Sequence, residues 1–164
     1  MSALSIALRL LERVSPAAPA HAHCDIPCGI YDPHQAQIAA HTVVRMAQLI
    51  TDLGDAGDAE ASNKLARYIT VKEEHAELAK KELRILWGDY FRPEHVEQYP
   101  NLHGLFFQAM KQGSAARQSV SMDNAQALLA TVQEIAEIFW KTKGAEASRM
   151  PSRQTSGGEI VYPA

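Results

Sequence analysis

Cysteine is scarce in this chain. There are two in 164 residues, Cys24 and Cys28, and they stand side by side in one motif. A pair that close cannot be a disulfide framework, and no second pair exists to complete a structural zinc site of four Cys/His side chains. Long apolar runs are missing as well: nothing approaches the roughly 18–20 residues that cross a bilayer, so no membrane span is expected. Net charge is small, formally −3, which argues against nucleic acid as a partner. The same acidity denies an anionic substrate any global attraction, so steering must come from local Lys or Arg. Internal repeats and strand-like alternation are also absent.

What the chain has is concentrated in His23-Cys24-Asp25-Ile26-Pro27-Cys28-Gly29-Ile30-Tyr31-Asp32-Pro33. Just upstream, Ala20-His21-Ala22 has the small-x-small form of a protease site. A cut after Ala22 makes His23 the N-terminus. Its free amine and the Cys24 amide nitrogen are then spaced for one five-membered chelate ring, and the Cys24 amide and sulfur for a second. Cys28 can supply another sulfur if the chain turns sharply. Ile26-Pro27 is a plausible cis bond, and Gly29 accepts a φ that other residues resist. Two nitrogens and two sulfurs in a plane suit nickel(II) or copper(II), with the His23 ring as an axial donor. Thiolates and a deprotonated amide stabilise a higher oxidation state, so the set points to redox work. Plain reduced thiols or a disulfide are the alternatives.

The motif resembles the nickel hook of the nickel-containing superoxide dismutases, differing only in the aliphatic residues at 26 and 30. The likeness continues through Glu77-Leu78-Ala79-Lys80, Leu86-Trp87-Gly88-Asp89-Tyr90-Phe91, Tyr99-Pro100, Leu102-His103 and Ile138-Phe139-Trp140, spanning about residues 23–143. The resemblance implies dismutation of superoxide to oxygen and hydrogen peroxide by Ni(II)/Ni(III) cycling, with one nickel ion per subunit. It implies as ligands the His23 amine and ring, the Cys24 amide and sulfur, and the Cys28 sulfur. Tyr31 would limit access to the open face, and the Asp25 N–H would help position superoxide. Arg92, where the family tends to carry a cation, is a steering candidate; the plainer reading is a solvated helix-end charge. It further implies a homohexamer with each hook held partly by a neighbour, and a pro-sequence (1–22) removed by a processing protease. A cytoplasmic location is expected, since thiolate ligands suit a reducing compartment; export is the lesser alternative. Family members often carry a glutamate on the first helix and an arginine on the second to hold the axial imidazole. The matching positions here read Ala39 and His75. One reading makes His75 the partner of His23, directly or through water; the other makes it a helix histidine with a local partner. A rival from another class is a nickel- or copper-binding bundle without turnover.

The rest of the sequence predicts an all-α, up-and-down four-helix bundle over 23–144, with the hook at 23–31. Asp32-Pro33 reads as a helix start, with Ile38, Thr42, Arg45/Met46 and Leu49 along one face to about Thr51. A Gly/Asp-rich loop comes next. The second helix runs from about Ala61 to Tyr90 with two apolar stripes: Leu65, Lys72, Ala76, Ala79, Leu83 and Leu86 on one, Val71, His75, Leu78, Glu82 and Ile85 on the other. Pro93 is read as its end. A third helix opens at Tyr99-Pro100 and ends near Gly113. A fourth starts near Ser121, with the clearest i, i+3, i+4 pattern, and stops at Gly144. Residues 145–164, rich in Ser, Gly, Arg and Pro, read as a flexible tail. Trp87, Phe106, Phe139 and Trp140 are expected in the core or an interface, and His34, His41, His95 and His103 in structural roles.

Overall fold

The structure is a computed structural model that describes residues 28–164. Four long helices form the bundle. α1 spans His34–Leu53, α2 Ala59–Ile85, α4 Leu102–Gln118 and α5 Met122–Thr142, with a short α3, Pro93–Gln98, between the second and third of them. Each long helix packs on the next, and α5 returns to α1, which closes the up-and-down ring. Val43, Leu83, Leu102, Phe106, Leu128, Ile135 and Phe139 fill its centre.

Three of the four long helices start at a local cap. The Asp32 carboxylate accepts from the His34 N–H at 2.6 Å with Pro33 in between, Asp58 accepts from Ala61 N–H at 2.7 Å, and the Ser121 hydroxyl accepts from Asn124 N–H at 3.2 Å. These satisfy amides that the first turn leaves without partners. α5 stops as expected: Gly144 takes φ +75, and Ala145 N–H donates back to the Trp140 carbonyl at 3.1 Å.

Four expectations are corrected. The buried stripe of α1 is Ala36, Ala40, Val43, Ala47 and Ile50 rather than the Ile38–Leu49 face; alanines bring the helices close, and the larger residues lie on the flank. α2 is α-helical only to Ile85, not to Tyr90. It passes into a π-helical turn over Leu86–Tyr90, closed by Phe91 N–H donating to the Leu86 carbonyl at 2.9 Å, and Pro93 then opens α3, where its missing N–H costs nothing. Gly113 does not end α4. It lies inside the helix, where a Cβ would come within 2.8 Å of Lys80 Cγ, so the glycine makes room for a side chain crossing from α2. The helix ends five residues later, where Lys72, itself buried, donates to the carbonyls of Ala116, Arg117 and Ser119 at 2.6–2.9 Å.

The fourth correction concerns the tail. Residues 147–163 form an antiparallel hairpin, β1 (Ala147–Pro151) against β2 (Glu159–Pro163), with Arg149 opposite Val161. The Ser and Gly residues that suggested disorder build its turn: Ser152 N–H donates to the Gly158 carbonyl at 2.9 Å, and Gly157 and Gly158 take φ +74 and +72. Ile160 and Val161 are buried against the bundle. Among the described residues no helix is long and apolar enough to cross a membrane.

Candidate metal centre

Of the motif's residues, His23, Cys24, Asp25 and the Ile26-Pro27 bond lie outside the described residues. The described part begins with Cys28, which is half-buried, and Gly29, which takes the expected left-handed φ of +70. Tyr31 comes two residues later, also half-buried, its ring 5.6 Å from that of Tyr90. Tyr90 belongs to the π-helical turn and is itself fixed. Its hydroxyl lies 2.8 Å from Thr142 Oγ1, its ring 4.5 Å from Phe139, and His95 stacks on it at 5.7 Å.

Tyr31 separates two openings. One, of about 410 Å³, is edged by Gly29, Asp89, Tyr90, Arg92, His95 and Lys143. Two cations face it. Lys143, in the turn that ends α5, holds its ammonium 5.4 Å above the Tyr90 ring and 5.2 Å above that of Phe139. It also reaches the Gly29 carbonyl at 3.5 Å. Arg92 lies largely in solvent, with only a loose 4.0 Å pairing to Glu94. His95 Nδ1 accepts the Arg92 N–H at 3.2 Å, so a neutral His95 carries its proton on Nε2. Arg92 thus lines the opening while keeping the exposure of a solvated helix-end charge, and Lys143 joins it without having been foreseen. The signal was its position one residue before the stopping glycine.

The second opening, about 680 Å³, lies on the other side of Tyr31, lined among others by Ile30, His34, Glu82, Trp140 and Tyr162. Its walls therefore come from both ends of the described chain. Trp140 Nε1 is buried with no hydrogen-bond partner.

The remaining histidines do not gather. His75 Nδ1 lies 2.9 Å from the Val71 carbonyl, so it donates there and a neutral ring keeps its lone pair on Nε2; neither opening is lined by His75. Ala39 is buried and offers no polar group. His41 is buried in contact with the hairpin, His103 packs 5.2 Å from Trp87, and His34 lies 5.6 Å from Tyr162. Among the described residues, no three His, Cys, Asp or Glu side chains converge to hold a metal ion.

Residues 18–143 match the family model for nickel-containing superoxide dismutase. The nickel superoxide dismutase of Streptomyces seoulensis is 41% identical over 137 residues, covering 83% of this chain and all of that protein. The Streptomyces coelicolor enzyme is 40% identical over the same length and share. A crystal structure of nickel-containing superoxide dismutase with its nickel ligation in the oxidised state superposes with a TM-score of 0.68 at 42% identity, over 75% of this chain and all of that one. A metal-free structure gives 0.64 at 39% identity, over 71% and 100%.

Proposed function

The chain belongs to the nickel-containing superoxide dismutase family, and from that premise we propose that it converts superoxide to oxygen and hydrogen peroxide at a nickel ion held by its N-terminal hook. The observation that carries the reading is the described end of the hook: half-buried Cys28, left-handed Gly29, and Tyr31 against Tyr90 beside an opening edged by Lys143 and Arg92. The ligands are the His23 amine and ring, the Cys24 amide nitrogen and sulfur, and the Cys28 sulfur. The donor chemistry fits the ion, since paired thiolates with backbone nitrogens suit square-planar nickel. Bound nickel supplies one-electron exchange between Ni(II) and Ni(III), so that of two superoxide anions one is oxidised to oxygen and the other, with two protons, becomes hydrogen peroxide.

The chain's own residues do the rest. Removal of 1–22 by a processing protease turns the His23 peptide nitrogen into an amine, so the cut is an activating step. Tyr31 narrows the approach and keeps product peroxide from the thiolates, which it would oxidise. The Asp25 N–H helps to position superoxide. Lys143 and Arg92 supply the positive charge that a net acidic chain lacks where the anion enters. Ala39 and His75 stand where the family often has a glutamate and an arginine; with Nδ1 on the Val71 carbonyl, His75 would support the His23 ring only through Nε2, directly or through water, and a purely local role is the other reading. Exposed Ile30 and Tyr162 border one cavity, which suits burial in a homohexamer, and the thiolate ligands suit the cytoplasm.

Metal analysis of two forms tests the reading. The chain that begins at His23 is expected to hold one nickel ion with thiolate charge-transfer absorption, and the chain that keeps 1–22 to lack that spectrum. Equal spectra from both would overturn the amine ligand. Nickel or copper bound without superoxide turnover would establish the non-catalytic rival.

A further inference from the structure

The family match ends at residue 143, yet the bundle is built to hold the hairpin of residues 147–163. Three buried polar side chains of α1 and α5 make hydrogen bonds with it. Gln37 acts as a further rung beside β2: Val161 N–H donates to its Oε1 at 2.8 Å, and its Nε2 donates to the Val161 carbonyl at 3.0 Å. His41 donates through Nε2 to the Glu159 carbonyl at 2.8 Å and accepts from the Ser156 hydroxyl at 2.9 Å. Gln133 Nε2 donates to the same Glu159 carbonyl. With Ile160 and Val161 each 1% exposed, the register of β2 on the bundle is fixed, and so is the place of Tyr162.

That place is the root of the hook. Tyr162 shares the larger cavity with Ile30 and Tyr31, and its ring lies 5.6 Å from that of His34 at an interplanar angle of 31°. The segment 29–32 buries little of its own: Ile30 is 80% exposed. Among its contacts are Tyr31 against Tyr90 of the π-helical turn and the 3.5 Å contact from Lys143 to the Gly29 carbonyl. A short, largely exposed segment opens locally. Tyr162, 39% exposed, lines the cavity beside it and packs on His34, two residues beyond it.

We propose that the C-terminal hairpin is a positioning element for the hook root: through Tyr162 against His34 it fixes the segment that carries Tyr31. Its catalytic consequence, a Tyr31 held in register with the metal face, rests on the proposed dismutase function. The positioning itself is a property of the chain with or without nickel, and it can be measured separately.

Hydrogen exchange by mass spectrometry on the full chain, as native protein, Tyr162→Ala and Tyr162→Phe, is the test. The alanine variant is expected to speed exchange of the amides in 29–35 by about three- to tenfold, the factor that an aromatic contact is worth. α5 amides should keep their protection, and Tyr162→Phe, which retains the ring, should restore native exchange. Unchanged exchange in the alanine variant overturns the proposal, as does acceleration spread equally through Met122–Thr142 or a phenylalanine variant that behaves like alanine. A hook that binds nickel without turnover leaves these results untouched, so the two readings fail independently.

Discussion

Lys143 is the residue whose position says most about substrate. Its ammonium lies over two aromatic faces and beside the hook backbone, which keeps a positive charge at the opening instead of free in solvent. Lys143→Met is therefore expected to lower kcat/KM for superoxide by about two- to fivefold at low salt and to flatten its ionic-strength dependence, as for a local steering charge. Lys143→Arg should keep both, and an unchanged salt profile in the methionine variant would remove Lys143 from substrate approach. His75→Ala tests the axial support: the Ni(III) electron paramagnetic resonance signal should shift, and an unchanged spectrum with unchanged activity leaves His75 to its Val71 contact alone. His41 sets a pH dependence. Burial pushes its pKa below the ordinary value of 6.5, with the hydrogen bond to the Glu159 carbonyl opposing. Above that value the ring is neutral folded or unfolded and its contribution is complete. As pH falls through it the unfolded chain takes up the proton first, so stability declines until the lower folded-state pKa is passed. Thermal melts of native protein should show this loss between about pH 7 and 5, and His41→Asn should flatten it; parallel curves would contradict it.

At the scale of elements, Lys72 links α2 to the end of α4 by three carbonyl hydrogen bonds. Lys72→Met leaves those carbonyls without the donor and should cost about 2 kcal/mol in urea unfolding, while a midpoint within error of native would mean that water replaces the ammonium freely. Sequence periodicity showed α5 because large residues, Leu128, Val132, Ile135 and Phe139, carry its buried face. It misplaced the face of α1, where Ala36, Ala40 and Ala47 make the contact and a pattern of large residues points to the flank. Gly113 read as a stop because a glycine that admits a neighbour's side chain looks, along one chain, like a glycine that ends a helix. The hairpin escaped notice for a related reason: only Ile160 and Val161 of its strands are buried, and its turn residues are those of a loose tail. The hook could be proposed from sequence because its chemistry is local, with donor atoms spaced by covalent geometry. Lys143 and Tyr162 were not, because they reach the hook root only through the tertiary fold.

For the whole molecule, the bundle is a scaffold that delivers the π-helical turn, the end of α5 and the hairpin to one corner, where Cys28 enters. The proposed homohexamer should elute from gel filtration at about six times the mass of the processed chain, which is smaller than the 18.0 kDa of all 164 residues, and monomer-sized elution would leave each hook with support from its own chain alone. The central claim is catalytic, and its direct test is the decay of superoxide in the presence of the chain that begins at His23 and carries nickel. The account predicts decay first order in superoxide, with a rate proportional to bound nickel and lost when the His23 amine is acetylated before loading. Nickel bound at full occupancy with superoxide decaying only at its spontaneous second-order rate would contradict it.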